Sequence, residues 1–302
     1  MSWVVFAFCG PVLWAISVHL DKYLVERFFK QSDVAVMLLF NAFVGLLLLP
    51  CIWLFEPSVT APGLGDVALI VFSGILYMSA MLLYLQALQR EEASVVAPYF
   101  QAGPLFGYVL AYLVLGETLS ERQMAGGVMI LIGALIVSVR LDKGVRLFKA
   151  RLAALMLTCG FAMALSGLIF KVFAIEVEFW TTTFWMFVGE ALFGCALLLV
   201  PSYRKQFIAM LRAYTIALLS INGSNEIINL AGGLGSRYAL MFAPLSIVQA
   251  IGSTTTLFVF GFGVVLSLVS PRFGRESLSG RELLPKGIAA ALVALGVALV
   301  TR

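Results

Sequence analysis

Four polar residues share one face of a predicted helix deep inside the apolar segment 213–235. Asn222, Asn225, Glu226 and Asn229 follow i, i+3, i+4, i+7 spacing, which places their side chains in one stripe. An ionisable group at such depth in a membrane is costly and generally faces a cavity. The stripe therefore offers a site for a cation or a hydrogen-bonding solute. Amides and acids also hold helices together, and that structural interpretation stays open.

A second acid, Glu190, lies eleven residues into the apolar segment 180–200. Burial favours the neutral form of a carboxylic acid, whereas a nearby cation favours the charged form. Glu190 and Glu226 can therefore exchange a proton against a solute, or hold a solute by charge alone. The sequence shows no lysine or arginine at comparable depth, which favours a cationic, amine-bearing or zwitterionic solute over a polyanion. An interhelical pair between Glu190 and Lys171 is the structural alternative.

Less specific candidates occur on other apolar segments, where hydroxyl, amide and aromatic side chains recur at helical spacing. Such residues are equally common as packing groups in membranes, so each suits either packing or a pocket between helices. Lys22 and Lys171 stand near the ends of equivalent segments, where they either snorkel to the interface or contact the solute. His19 either titrates near neutral pH or forms an interfacial hydrogen bond. The other pocket candidates are Asn41, Trp14, Ser17, Tyr77, Tyr84, Gln101, Gln249 and Ser253.

The elements that position these residues are predicted membrane helices. Hydrophobic residues make up 62% of the chain and charged residues 12%, whereas soluble domains have roughly 45–50% apolar and about 25% charged residues. A segment of about 20 apolar residues spans a bilayer. The ninth segment is longer and is expected to bend at Gly252, Gly261 or Gly263. Ten candidate spans cover 3–24, 34–54, 67–88, 94–115, 122–139, 152–175, 180–200, 213–235, 239–269 and 284–300.

An internal repeat divides the chain into two units of five helices. When the sequence is shifted by 149 positions, residues 14–49 align without gaps on 163–198, and the Lys22–Lys171 pair falls in register. The repeat predicts a first unit at 1–139, a basic linker at 140–151 and a second unit at 152–302. Because five is an odd number, the two units must insert with opposite orientations, as in many secondary transporters.

The distribution of basic residues predicts the sidedness of the chain. If the linker 140–151 is cytoplasmic, the cytoplasmic connections hold 16 lysine and arginine residues and the opposite side holds 4, including Lys171 and Arg237. The positive-inside rule then places both termini outside.

The segment Glu117-Thr118-Leu119-Ser120 returns in looser form as Glu276-Ser277-Leu278-Ser279. With Ala97-Pro98 before it and Gly126 after it, the first copy resembles the end of an EamA-type repeat of the drug/metabolite transporter superfamily. This resemblance implies a ten-helix transporter or exporter with a central cavity between its halves, and it leaves the substrate open. The motif also has a structural interpretation, because Ser120 and Gln123 stand in the spacing of a capping box.

These features predict an all-α membrane protein, a secondary transporter of a small solute that works by alternating access, as a monomer or homodimer in the cell (inner) membrane. A gradient of an ion, such as the proton, or of the solute itself is expected to drive it, because the sequence has no G-x-x-x-x-G-K loop. The alternative is an integral membrane enzyme acting on a lipid or isoprenoid, although one histidine and scattered acids suit it poorly. No cofactor, metal or nucleic acid is expected.

Overall fold

The computed structural model of the chain describes residues 2–27, 34–90, 96, 99, 102–138, 150–213, 215–269 and 280–301. The described residues are almost entirely helical and contain no strand. The all-α prediction is therefore confirmed. The helices are α1 (Ser2–Arg27), α2 (Val34–Val44), α3 (Leu49–Phe55), α4 (Leu64–Arg90), α5 (Gly103–Leu115), α6 (Glu121–Ser138), α7 (Ala150–Glu176), α8 (Phe179–Leu198), α9 (Pro201–Ala213), α10 (Thr215–Leu240), α11 (Leu245–Gly252), α12 (Thr255–Val269) and α13 (Gly280–Val300).

Each of the ten predicted segments contains helix, and two of them are broken. The second segment changes to a 3₁₀ turn at Gly45–Leu47 before α3 begins, and Pro50 stands at the start of α3. Proline favours the first turn of a helix because it has no N–H to donate to a preceding turn. The ninth segment breaks after Gly252, the first of the predicted bend points, whereas Gly261 lies inside α12.

Within the described ranges, six helical segments are long and apolar enough to cross a membrane, by length and composition alone. Large apolar side chains cover the outside of the bundle: Leu64 is 90% exposed, Phe55 87% and Leu113 71%. Several polar side chains, by contrast, are buried between helices. Apolar groups outside and polar groups inside suit a protein surrounded by lipid rather than water. The six segments are Trp3–Asp21, Ala35–Phe55, Leu64–Ala87, Ala150–Glu176, Phe179–Leu198 and Leu245–Leu266.

Helices of the first half pack mainly against helices of the second. The α1 helix packs on α10 and α7 packs on α4, which are corresponding pairs when the halves are exchanged. The contact of α5 with α7 has a counterpart in the other half, because α1 contacts α11 and α12. The α6 and α13 helices run antiparallel, because Gly126 faces Gly296 while Gly133 faces Ala289. The interface between the halves is therefore extensive.

The α4 and α8 helices cross at two glycines that let their backbones touch. A Cβ atom at Gly189 would overlap the carbonyl oxygen of Val71, and a Cβ at Gly74 would overlap that of Met186. Small residues permit such close approach between membrane helices. This crossing holds α4 against the helix that carries Glu190.

Replacing Gly189 with alanine is expected to destabilise the protein by about 1–3 kcal/mol, because a backbone carbonyl cannot move aside and the helices must separate. Gly223→Ala on α10 is the matched control, since no atom of another residue lies near its added Cβ. That control is expected to be neutral or stabilising, because alanine is about 1 kcal/mol better than glycine inside a helix. Thermal unfolding in detergent compares the two. If Gly189→Ala unfolds no earlier than Gly223→Ala, the close crossing is wrong.

The sequence did not predict the short helix α9, which follows α8 where a basic connection was expected. Its residues Phe207 and Met210 pack inward, with the Phe207 ring 5.0 Å from that of Phe40. Arg204 and Lys205 are exposed on the opposite face. This amphipathic pattern is typical of a helix that lies at a membrane surface.

Candidate functional site

The polar stripe of α10 faces the interior of the bundle. Glu226 is buried, and its Oε2 atom accepts a hydrogen bond of 2.9 Å from Nδ2 of Asn41 on α2. Asn229, one turn further along α10, also lies within hydrogen-bonding reach of this carboxylate. The Glu226 site therefore joins the two halves of the chain.

A second acid, Asp21 on α1, is half-buried and contacts the same polar stripe of α10. Its Oδ1 atom accepts a hydrogen bond of 2.7 Å from Nδ2 of Asn225, and its Oδ2 atom accepts a weaker one of 3.5 Å from the Ser17 hydroxyl. Asp21 and Glu226 interact electrostatically. Among the described side chains, no lysine or arginine forms an ion pair with either acid. Asp21 was not predicted as a site residue, although its i, i+4 spacing from Ser17 places both side chains on one face of α1.

Glu190 is paired with Arg237, and this corrects the predicted partner of Glu190 and two predictions about basic residues. Nη2 of Arg237 lies 2.8 Å from Oε1 of Glu190, so Lys171 is not the partner of this acid. The sequence placed Arg237 in a surface connection and no cation at the depth of the acids. Both predictions are wrong, because α10 continues to Leu240 and carries Arg237 inside the bundle. The guanidinium carbon also lies 5.4–5.7 Å from the ring centres of Tyr77, Phe170 and Phe187.

Aromatic and amide side chains complete this central cluster. Nε1 of Trp14 donates a hydrogen bond of 3.4 Å to the backbone oxygen of Asn229. Tyr77 interacts electrostatically with Glu190 and Glu226, and Tyr84 with Asp21. The structure thus brings together nine of the predicted residues, namely Trp14, Ser17, Asn41, Tyr77, Tyr84, Glu190, Asn225, Glu226 and Asn229, and Asn222 is buried on the same helix.

The remaining candidates lie elsewhere. Gln249 on α11 packs against Gly107 and Gly167, and the Ser253 hydroxyl donates to the Gln249 backbone oxygen at 3.3 Å. Nε2 of His19 lies 3.1 Å from the Val259 backbone oxygen, on the side of α1 that faces α12. The Lys22 side chain and the whole of Gln101 lie outside the described residues.

Lys171 belongs to a separate polar cluster at one end of the bundle. Its Nζ atom forms an ion pair with Glu117 and donates a hydrogen bond of 2.6 Å to the Ala243 backbone oxygen. The Glu117 carboxylate also accepts a hydrogen bond of 3.1 Å from the N–H of Leu245, at the start of α11. These side chains line an open cleft of about 320 Å³. One carboxylate of the first half thus holds two elements of the second.

Local turn chemistry positions Glu117 for this contact. The preceding residue, Gly116, adopts a left-handed backbone with φ +65°, and its N–H bonds the Tyr112 oxygen, as in the αL cap of a helix. After the turn, the N–H of Ser120 donates to Oε1 of Gln123 at 3.0 Å, and the N–H of Gln123 donates to Oγ of Ser120 at 3.3 Å. The predicted capping box is therefore present.

Comparison with known proteins gives the family of the first half. Residues 1–139 match the sequence model of the EamA-like transporter family. This match covers a little under half of the chain and makes its first half similar to EamA-like transporters. The resemblance to the drug/metabolite transporter superfamily, based on the motif at Glu117, is confirmed for this part of the chain.

Two further comparisons extend the match. The chain is 38% identical over 69 residues to an uncharacterized protein of Methanocaldococcus jannaschii, an alignment that covers 23% of this chain and 50% of that protein. The chain therefore spans half the length of this relative. A crystal structure of another protein superposes with a TM-score of 0.69 at 14% identity, covering 99% of this chain and 96% of that one. At that identity the superposition shows a shared fold.

The match of residues 1–139 to EamA-like transporters and the long apolar helices support an integral, multi-pass membrane protein. The family is one of transporters, which is consistent with a role other than catalysis. The polar cluster between α1, α2, α4, α8 and α10 is accordingly the candidate site for a transported solute.

Proposed function

We propose that the chain is a secondary transporter of the cell (inner) membrane that moves a small cationic or zwitterionic solute by alternating access. The observation that carries this proposal is a pair of acids, the buried Glu226 and the half-buried Asp21, between the two halves of the bundle. Buried carboxylates without a cationic partner are costly. A positively charged solute or a proton supplies the missing charge. A monomer or a homodimer is sufficient, because one chain carries the whole cluster.

Two inverted five-helix units, at 1–139 and 152–302, are part of this proposal. The exchangeable packing of the halves supports it, since α1 on α10 corresponds to α7 on α4. The antiparallel crossing of α6 and α13, the last helices of the two units, also agrees with inversion. In transporters of this construction the solute binds near the midplane, where the repeats meet. The acids lie at this boundary.

The charges of the cluster define the class of solute. Arg237 neutralises Glu190, so among the described side chains Asp21 and Glu226 leave the cluster negatively charged. An ammonium group is therefore favoured beside these two acids. A zwitterion gains a second contact if its carboxylate competes with Glu190 for the Arg237 guanidinium, which presents several N–H donors in a planar fork. A polyanion gains nothing at Asp21 or Glu226.

The Glu117–Lys171 cluster is the proposed closure at its end of the bundle, because the ends of α5, α7 and α11 must separate for a solute to pass there.

We expect Lys171→Met to open this end. In a variant without the four native cysteines, Thr118→Cys and Phe242→Cys, both on the cleft, are cross-linked with a short reagent. Lys171→Met is expected to lower the yield several-fold, and the exchange Glu117→Lys with Lys171→Glu to restore part of it. Glu121→Gln, at the exposed start of α6, is the control. Equal yields in all variants would contradict the closure.

A binding screen separates a transporter from a membrane enzyme. The purified protein is heated with a library of small metabolites, because a solute that binds the folded state alone raises the unfolding temperature. Each ligand is then recovered and analysed by mass spectrometry. We expect amine-bearing ligands to stabilise the protein and to be recovered unchanged. A chemically altered product would favour the enzyme, and stabilisation by polyanions alone would contradict the proposed solute class.

A further inference from the structure

The amide of Asn225 carries an oxygen that the hydrogen bonds of the central cluster do not use. Asn225 is completely buried, and its Nδ2 donates to Asp21, whereas its Oδ1 is buried without a hydrogen-bond partner. Buried amide oxygens are rarely left unpaired, because the loss of hydration costs about 1–3 kcal/mol. The nitrogen of the same amide contacts the Asp21 carboxylate. The cluster therefore contains an amide whose nitrogen is paired with a carboxylate and whose buried oxygen is unpaired.

The described side chains of the cluster that contains this amide offer hard oxygen ligands and two carboxylates. Asp21 and Glu226 contribute carboxylates, Ser17 a hydroxyl and Asn225 the unpaired amide oxygen. They come from two helices, α1 and α10, that pack against each other along much of their length. Carboxylate, amide and hydroxyl oxygens favour hard cations such as alkali and alkaline-earth ions over soft transition metals.

We propose that Asp21, Asn225 and Ser17, with Glu226 beside them, form a binding site for a sodium ion. A proton neutralises one carboxylate at one oxygen, whereas a cation between α1 and α10 interacts with the carboxylates and the amide oxygen at once. Bound there, the ion draws the first helix of one half towards the second half. This inference deepens the proposed function by naming a coupling ion distinct from the solute.

The test uses the purified full-length protein at constant pH and ionic strength, in sodium, potassium or choline chloride. We expect sodium to raise the unfolding temperature by several degrees over choline, in a saturable manner, and potassium to raise it less. Asn225→Ala and Asp21→Asn are expected to abolish the response. Ser224→Ala is the matched control, because this neighbouring hydroxyl is exposed and bonds only the Ser220 backbone oxygen. It is expected to retain the full shift.

Direct binding of ²²Na⁺ keeps the test decisive if Asp21→Asn fails to fold. The wild type and Ser224→Ala are expected to bind one ion per chain, and Asn225→Ala to bind at least tenfold more weakly. Equal unfolding temperatures in sodium and choline, a response to pH alone, or undiminished binding by Asn225→Ala would each overturn the sodium site. None of these results tests the proposed transport of a cationic solute. Uptake by the Glu226→Gln variant tests that proposal separately.

Discussion

Glu226→Gln is expected to reduce the initial rate of uptake of a cationic solute at least tenfold. Glutamine has nearly the same shape as glutamate, and its side-chain oxygen still accepts the hydrogen bond from Asn41. The substitution therefore removes the negative charge and little else. A hydrogen bond to a charged group contributes about 1.5–3 kcal/mol, and 1.4 kcal/mol corresponds to a factor of ten. Uptake is measured in proteoliposomes with an amine-bearing solute from the binding screen.

The pH profile of the same measurement separates two roles of the acid. If Glu226 exchanges a proton against the solute, the pH dependence seen in the wild type is expected to disappear in Glu226→Gln. If the acid holds the solute by charge alone, the residual uptake keeps the profile of the wild type. Glu121→Gln, which removes an exposed carboxylate at the start of α6, is the control and is expected to transport normally. Wild-type rates in Glu226→Gln would show that this acid is a packing residue.

Arg237→Met is expected to be the most destabilising single change in the cluster. Removing the guanidinium leaves Glu190 buried without its partner, and breaking one side of a buried ion pair costs about 3–5 kcal/mol. Methionine retains much of the apolar stem, so lost packing contributes less than the stranded charge. Unfolding in detergent, followed by heat or denaturant, measures the effect.

The double variant Arg237→Met with Glu190→Gln distinguishes a stranded charge from lost packing. Because no unpaired carboxylate remains, it is expected to be more stable than Arg237→Met alone. Such coupling between neighbouring sites is the expected sign of a direct interaction. Arg204→Met, on the exposed face of α9, is the control and is expected to lie within about 0.5 kcal/mol of the wild type. Additive effects of the two substitutions would contradict the pairing.

The sequence was sufficient to predict the helical segments and much of the site. Long apolar runs require helices in lipid, because backbone groups must be satisfied internally, and the spacing of the α10 stripe set the direction of Asn225 and Glu226. Contacts between distant segments leave no such periodic signal. Asp21 lies beside Lys22 at the end of an apolar run, where a charged pair looks like an interfacial boundary. Its contact with Asn225, 204 positions away, depends on how α1 packs against α10.

The error at Arg237 has a similar cause. A basic residue after an apolar run usually indicates that a span has ended, so the sequence predicts that this span ends at residue 235, before Arg237. The helix continues because Glu190 and three aromatic rings of α4, α7 and α8 receive the guanidinium inside the bundle. The capping box at Ser120 could likewise be predicted from local spacing. The contacts of Glu117 with Lys171 and Leu245 could not be predicted in this way, because they join the two halves of the chain.

Solute counterflow in proteoliposomes is the most direct test of transport by this chain. Vesicles that contain the wild-type protein are loaded with an unlabelled amine-bearing ligand from the binding screen and diluted into a trace of labelled ligand. We expect the label to accumulate transiently above its equilibrium level in these vesicles, but not in vesicles with Glu226→Gln or without protein. If wild-type vesicles follow the protein-free trace with every ligand that binds, the chain is not a transporter of these solutes.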